Sequence, residues 1–512
     1  MEASTKETLP RLNAEYLESH PDLTPQAGGN PLPERVLQFG TGVFLRGFAD
    51  WMIDCMNRRG LFRGSVVVVP SIHPGMAAEL EQQNGAYTQL ARGLQEGRLV
   101  EKISVVTSIR RSIDPHTRFD EYLKCAHNPD LRFVISNTTE AGIVYRPEDK
   151  QEDRPPVSFP AKLTLLLAER YRAFDGDRTK GLVFLPCELI ERNGDMLRET
   201  VLKTAANWGL DRKIVKWIEE ANVFANTLVD RIVTGFPREE AQALWDRCGY
   251  VDELFNTSEV FHFWAIEGPP ELAGELPLAE AGCNVIFTDD LKPYRERKVR
   301  ILNGAHTSTV LAAYLAGKNF VGECMADPGI GGFMRQAIFD EVIPTLTLPR
   351  EELEKFADAV FERFRNPFIQ HALLSISLNS VSKYRTRVLP SLEQYLAMRG
   401  KLPARLTFAL AALIAFYRGT EVRDGALIGH RNGEEYRIQD DHAVLEAFAG
   451  QWSGWDGSTA GIHRLADAVL QREDWWGKDL RQLSGLAAAV SGSLESILRD
   501  GMRTALERVG AI

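Results

Sequence analysis

The sequence predicts an α/β chain: a Rossmann-type, doubly wound N-terminal domain followed by a mostly α-helical C-terminal domain. Two observations carry this. Between Arg35 and Pro70 a strand, a Gly-x-Gly turn, a helix and a second strand follow one another, the unit that builds one half of a dinucleotide fold. Strand and helix signals then alternate until about residue 290, after which nearly every periodic segment is helical: 298–316, 351–364, 404–418, 442–452, 459–471 and 484–508. With 512 residues the chain is too long for one ordinary core. The expected division is an N-terminal arm over 1–32, a dinucleotide-binding domain over 33–290 and a helical substrate and catalytic domain over 291–512.

Taken in order, Arg35-Val-Leu-Gln-Phe-Gly40 reads as a short buried strand, and Gly40-Thr-Gly42-Val-Phe44-Leu-Arg46 opens a helix running to about Met56. Ser65-Val-Val-Val-Val-Pro70 is the second strand. The N-terminus of the helix between them can receive a pyrophosphate, because its first N–H groups are unpaired and its dipole favours negative charge. Leu45 occupies the place of the usual third glycine, so a plain tight turn stays open as a reading, and Pro70-Ser71-Ile72 stand where an acidic ribose partner is expected. The local residues therefore do not choose between NAD and NADP. Tyr87 to Ile109, broken by Gly93 and Gly97, suggests a hairpin-like insertion. Leu131–Ser136 and Gly181–Pro186 are further strands around a helix over 163–174, and helical character dominates from there to Val251. Loops that follow strands bind ligands in open sheets, which singles out Asn137-Thr-Thr139-Glu140-Ala-Gly142 and Pro186 to Gly194. Asn193-Gly194 within the second can equally be only a turn. Asn284–Asp289 is the last strand expected.

Lys298-Val-Arg-Ile-Leu-Asn303-Gly-Ala-His306 begins a helix announced by Asp289-Asp290 and Pro293 and stopped by Gly317. At 100° per residue, with Lys298 at the origin, His306 falls near 80° and Asn303 near 140°. One flank thus carries a lysine, an amide and an imidazole beside Leu302, Val310 and Ala313, an arrangement that is costly without partners or a ligand. The plain alternative is a solvated charge run ending at Lys298, with two satisfied core polars behind it.

Composition narrows the classes of function. A net charge of −10 gives no electrostatic reason to bind nucleic acid or an anionic membrane. The six cysteines are scattered and contain no C-x-x-C pair, which fits a reducing compartment. The first 34 residues lack the apolar stretch of a secretory signal, and the longest apolar run, Leu406–Tyr417, is too short to cross a bilayer, so a soluble cytoplasmic protein is expected. No His-Glu-x-x-His, nucleophile elbow or Walker loop is present, and no metal is expected.

Gly40-x-Gly42-x-Phe44-x-Arg46, Thr139-Glu140-x-Gly142, Asn193-Gly194, Val229-Asp230-Arg231-Ile and Lys298-x-x-x-x-Asn303-Gly-x-His306 together resemble the zinc-independent long-chain polyol dehydrogenases, the mannitol dehydrogenase family. The resemblance implies a nicotinamide cofactor, NAD, at an interdomain cleft, with Gly40, Gly42, Phe44, Arg46, Asn137, Thr139 and Glu140 on the cofactor side. It places catalysis on Lys298, Asn303 and His306, and substrate contacts on Asn193, Asp230, Arg231 and Lys383. Two departures stand out: polyol-oxidising members have Asn where this chain has Leu189, and Arg where it has Ser375. Ser136–Gly142, Pro186–Ile190, Thr227–Gly235 and Leu402–Gly419 resemble a branch of the family that acts on sugar acids.

That branch implies hydride transfer between the nicotinamide and the ketone of D-tagaturonate, giving D-altronate. D-fructuronate or a polyol is the alternative substrate, and a nicotinamide-sensing regulator the alternative of another class. Lys298 is the expected general acid, its pKa lowered by partial burial toward roughly 7–8. Asn303 and a protonated or suitably tautomeric His306 would donate to the developing alkoxide. Tyr294-x-x-x-Lys298 also satisfies a short-chain-type pattern, in which the tyrosine would be the acid. A sugar acid needs local cations in so acidic a protein, and Lys383-Tyr-Arg385-Thr-Arg387 offers them. The oligomeric state is left open.

Overall fold

Runs of Val, Ile, Leu and Phe form strands that need cover on both faces, and six of these lie together at the centre of the first half. They are β1 (Glu34–Phe39), β2 (Ser65–Val69), β3 (Ile109–Ser112), β4 (Phe133–Ser136), β5 (Val183–Pro186) and β6 (Val223–Phe224). All are parallel, in the order β3-β2-β1-β4-β5-β6. That is the Rossmann order, with its reversal between β1 and β4. Alternate residues serve opposite faces. Val36, Val66, Val68, Phe133, Ile135 and Leu185 pack against Phe48, Met52 and Trp264. Leu37, Phe39, Val67, Val134 and Phe184 pack against Leu163, Leu166, Leu167 and Trp217.

The computed structural model describes residues 9–23, 32–70, 76–139 and 141–510. The chain forms two compact units, Met1–Gly93 with Leu99–Leu291, and Leu94–Arg98 with Lys292–Ile512. Tyr87–Gln95 and Arg98–Val106 pair as a hairpin, its tip Leu94–Arg98 grouped with the second unit, and in the first unit the hairpin is extended on one side by Asn256–Ser258 and Val233–Gly235. A three-stranded sheet joins Val285–Thr288, Phe263–Glu267 and Asn226–Asp230. Strands over 223–235 thus interrupt the stretch expected to be helical up to Val251. They are two to five residues long, too short for periodicity to register, and tertiary pairing decides them.

The second unit is built around the helix Ala404–Phe416, buried along its length from Arg405 to Phe416 and packed on the helices Gly304–Leu315 and Leu486–Asp500. Its exposed-donor end is closed by Glu341, whose carboxylate accepts from the Arg405 and Leu406 N–H groups at 2.9–3.1 Å and from the Arg405 guanidinium at 3.3 Å. The mostly helical unit also holds a small antiparallel sheet of Val422–Arg423, Ala426–Arg431 and Glu434–Ile438, in a stretch for which no helix is expected. The last predicted helix is two, Leu486–Asp500 and Met502–Gly510, broken where Gly501 turns to φ 85°. Among the described residues no helix is long and apolar enough to cross a membrane.

Candidate active site

In the first unit the candidate site lies at the C-terminal edge of β1 and β4, where the strand order reverses. Gly40 adopts φ 119°, and a Cβ there would stand 2.8 Å from the Asn137 carbonyl oxygen, so only glycine allows the two strand ends to approach this closely. Gly42 differs. It caps the following helix at an ordinary φ of −65°, is exposed, and a Cβ on it would meet nothing within 4 Å. The space ahead of the helix is open, as a bound pyrophosphate requires.

The loop after β4 is held from below by Glu188, a residue that the sequence reading did not single out. Glu188 Oε1 accepts from the Thr138 N–H and hydroxyl, both at 2.9 Å, and Oε2 accepts from the Ser136 hydroxyl at 3.0 Å. Burial raises its pKa against the pull of these bonds. Above it, Asn137 is half-buried and Thr139 exposed at φ 77°; Glu140 lies outside the described residues. Leu189, next to Glu188, is 66% exposed and offers no hydrogen bond.

Several predicted contact residues turn inward. Phe44 stacks on Phe48 at 5.0 Å. The Arg46 side chain is 1% exposed and lies 5.6 Å from the Tyr87 ring, whose hydroxyl donates to the Arg46 carbonyl. Asn193 is equally buried: its amide donates to the carbonyls of Pro186, Glu188 and Thr227 and accepts from the N–H groups of Gly194 and Thr227. Those bonds exhaust the amide, so Asn193 fastens the end of β5 to the strand Asn226–Asp230. Arg231 donates to the carbonyls of Gly47 (2.6 Å) and Glu259, with its guanidinium 4.3 Å from the Trp51 ring. Asp230 ends its strand paired with Phe263. Arg46, Asn193, Asp230 and Arg231 are buried and brace the first unit, which leaves the exposed Gly42 and Thr139 and the half-buried Phe44 and Asn137 as the groups open to a ligand.

In the second unit the helix expected over 298–316 starts earlier, at Lys292, and is continuous but not regular. Lys292–Arg297 leads into a π turn, Lys298–Asn303, and then into Gly304–Leu315. The wider turn breaks the 100° stepping, so a regular helical wheel misplaces Lys298 relative to His306; such turns are frequent at functional sites. The turn is anchored by two arginines, Arg297 within the charge run 295–298 and Arg300 just after it, which the sequence does not distinguish from solvated neighbours. Arg297 is buried, pairs with Glu352 at 2.5 Å and lies over Phe356 and Tyr294. Arg300 donates to the hydroxyls of Ser391 (2.6 Å) and Thr345 (3.1 Å). Lys298 and Asn303 are half-buried; His306 is buried.

The His306 ring stacks on Phe364, centroids 4.3 Å apart, and meets His371 edge-on at 5.4 Å. Burial first, then the positive surroundings of His371, Arg363, Arg387 and Lys383, hold its pKa well below the ordinary histidine value. The imidazole is therefore neutral at physiological pH, and the protonated form considered from sequence is disfavoured. Its Nε2 has no partner among the described residues. Lys383 donates to the Ile376 carbonyl at 2.9 Å, and burial and Arg387 lower its pKa while Asp440 raises it. Lys383 and Arg387, four residues apart on the helix Ser380–Arg387, share a face. Arg385 does not: it is exposed, with its guanidinium against Gly477. Ser375 donates to the Ala372 carbonyl and supplies no charge. Among the described residues no cluster of three or more His, Cys, Asp or Glu could hold a metal.

Residues 34–280 match the family described as the mannitol dehydrogenase Rossmann domain, and residues 290–498 match the mannitol dehydrogenase C-terminal domain. The altronate oxidoreductase of Escherichia coli (strain UTI89 / UPEC) is 50% identical over 479 residues, 93% of this chain and 97% of that protein. Among solved structures, D-sorbitol dehydrogenase in substrate-free form superposes with a TM-score of 0.80 at 21% identity, covering 98% of this chain and all of that one. The Pseudomonas fluorescens mannitol 2-dehydrogenase ternary complex with NAD and D-mannitol gives 0.66 at 23% identity, covering 97% and 99%. A Rossmann sheet with an open glycine turn, a helical unit carrying Lys298, Asn303 and His306, and family matches across both lead to one conclusion: the chain belongs to the mannitol dehydrogenase family.

Proposed function

We propose that the protein is an NAD-dependent altronate oxidoreductase (tagaturonate reductase), interconverting D-tagaturonate and D-altronate. The observation that carries this reading is half-identity to an altronate oxidoreductase over nearly the whole of both chains. The geometry adds support on two counts. The open, exposed Gly42 at the switch point of the sheet fits a dinucleotide, with the strand end at Asn137 drawn close to the neighbouring Gly40. The cationic surroundings of His306 fit an acid better than a neutral polyol.

When bound, the nicotinamide supplies or accepts the hydride. The chain's own residues would manage the proton and the charge. Reduction of a ketone leaves negative charge on its oxygen, and Lys298, half-buried on the π turn, would deliver the proton. Asn303 would donate a hydrogen bond to the same oxygen, and so would neutral His306 if Nε2 carries its hydrogen, each worth about 3–4 kcal/mol in the transition state. A neutral imidazole suits that role, since it donates without competing for the proton that Lys298 delivers.

The test is a spectrophotometric screen of D-tagaturonate, D-fructuronate and D-fructose with NADH and NADPH. D-tagaturonate with NADH should give by far the highest kcat/KM. Equal efficiency with D-fructuronate would move the assignment to the other epimer, equal efficiency with D-fructose would remove the acid, and no turnover of reduced cofactor would leave a nicotinamide-binding regulator.

A further inference from the structure

Arginines of the helical unit that are as sheltered as Arg387 are committed. Arg297 pairs with Glu352, Arg300 with the Ser391 and Thr345 hydroxyls, and Arg405 with Glu341 and Gln336. Arg387 is half-buried, and its guanidinium has no hydrogen bond or ion pair to any described residue. A cation withdrawn from water without a partner is costly, and such exceptions call for an explanation.

Its place in the fold supplies one. Arg387 is the last residue of the helix Ser380–Arg387, which packs on the helix carrying His306. A Cβ on Gly304, the first residue after the π turn, would lie 3.4 Å from the Arg387 carbonyl oxygen. The charges acting on His306 from the other elements packed there are Arg363, His371 and Lys383, all of one sign. The acid that acts on Lys383, Asp440, already accepts from the Tyr417 hydroxyl and from the Val381 and Asp441 N–H groups. Within this set Arg387 is the cation on which no described acid acts, only burial.

We propose that Arg387 receives the substrate carboxylate and makes this site prefer a sugar acid to the matching neutral ketose. The inference rests on the functional reading above and deepens it. The planar guanidinium can grip both carboxylate oxygens at once, which a lysine cannot do. Lys383, tied to the Ile376 carbonyl, then orients the chain of hydroxyls, and Ser375 leaves the charge to Arg387.

D-tagatose is the neutral counterpart of D-tagaturonate, with a hydroxymethyl group in place of the carboxylate, and the pair isolates the effect. Arg387→Met keeps the apolar stem and removes the charge. It should lower kcat/KM for D-tagaturonate on the order of 100-fold, mainly through KM, and leave that for D-tagatose within about threefold. Arg387→Lys should recover part of the loss, on the acid alone; should the Met variant fail to fold, this acid-only rise in KM decides the matter. Parallel losses on both substrates, or unchanged kinetics on the acid, would overturn the role of Arg387. A wild-type enzyme that reduces D-tagatose as well as D-tagaturonate overturns the parent reading instead, so the two failures are distinguishable.

Discussion

Lys298 and Tyr294 stand four residues apart, one in the π turn and the other in the regular turn before it, and either could be written as the proton donor. The Tyr294 ring lies beside the buried Arg297 guanidinium, 5.2 Å away, a neighbour that suits packing. We expect Lys298→Ala to lower ketone reduction by several orders of magnitude and Tyr294→Phe to cost less than about tenfold. Steady-state kcat for the two variants decides, and the reverse ranking would move the chemistry to the tyrosine. The lysine, the amide and the imidazole were legible in the sequence because one short segment carries them all. The company His306 keeps was not. Phe364, His371 and Arg387 come from other segments of the chain, and only their convergence fixes the imidazole as neutral.

At the level of elements, the sequence shows where helices begin and end but not how their turns are wound. The stretch 298–303 has the same periodicity whether it is α or π, and the wider turn is selected by what Arg297 and Arg300 reach. The short strands escaped for a related reason, since side chains distant in sequence hold them. Asn193 ties down Thr227, and His262 ties the strand Phe263–Glu267 to its neighbour. His262 accepts from the Asn284 N–H at 2.9 Å through Nε2 while Nδ1 faces the Val260 carbonyl at 3.2 Å, a pattern open only to the neutral ring. Burial, then Arg231, lowers its pKa to about 4. Because the folded value lies below the unfolded one near 6.5, this contribution is complete above pH 6.5 and disappears as pH falls through about 4, a loss of roughly 3 kcal/mol. Urea unfolding of His262→Gln should therefore show lower stability at neutral pH and a flatter decline toward pH 4 than the wild type. Parallel declines would exclude His262 as the source.

Across the whole chain, a ligand that binds only the folded state stabilises it by an amount set by its concentration. NADH at about 100 times its dissociation constant should add roughly 2.7 kcal/mol to the wild type. Calorimetry on Gly42→Asp should show a normal fold and almost none of that gain, because a Cβ there meets nothing within 4 Å while the carboxylate it carries would repel a pyrophosphate. A full NADH response in that variant would take the turn out of the cofactor site. The α/β class was legible at this scale because alternating strands and helices span more than half the chain. The pairings of Tyr87–Gln95 with Asn256–Ser258 and of Asn226–Asp230 with Phe263–Glu267 were not, since those strands lie far apart in sequence. The contrast between Gly40 and Gly42 reaches past any single variant. In a saturation library scored separately for cellular abundance and for growth on the sugar acid, replacements at 40 should fail both screens. Replacements at 42 should accumulate normally and fail only the second, marking a position where selection acts through the ligand alone.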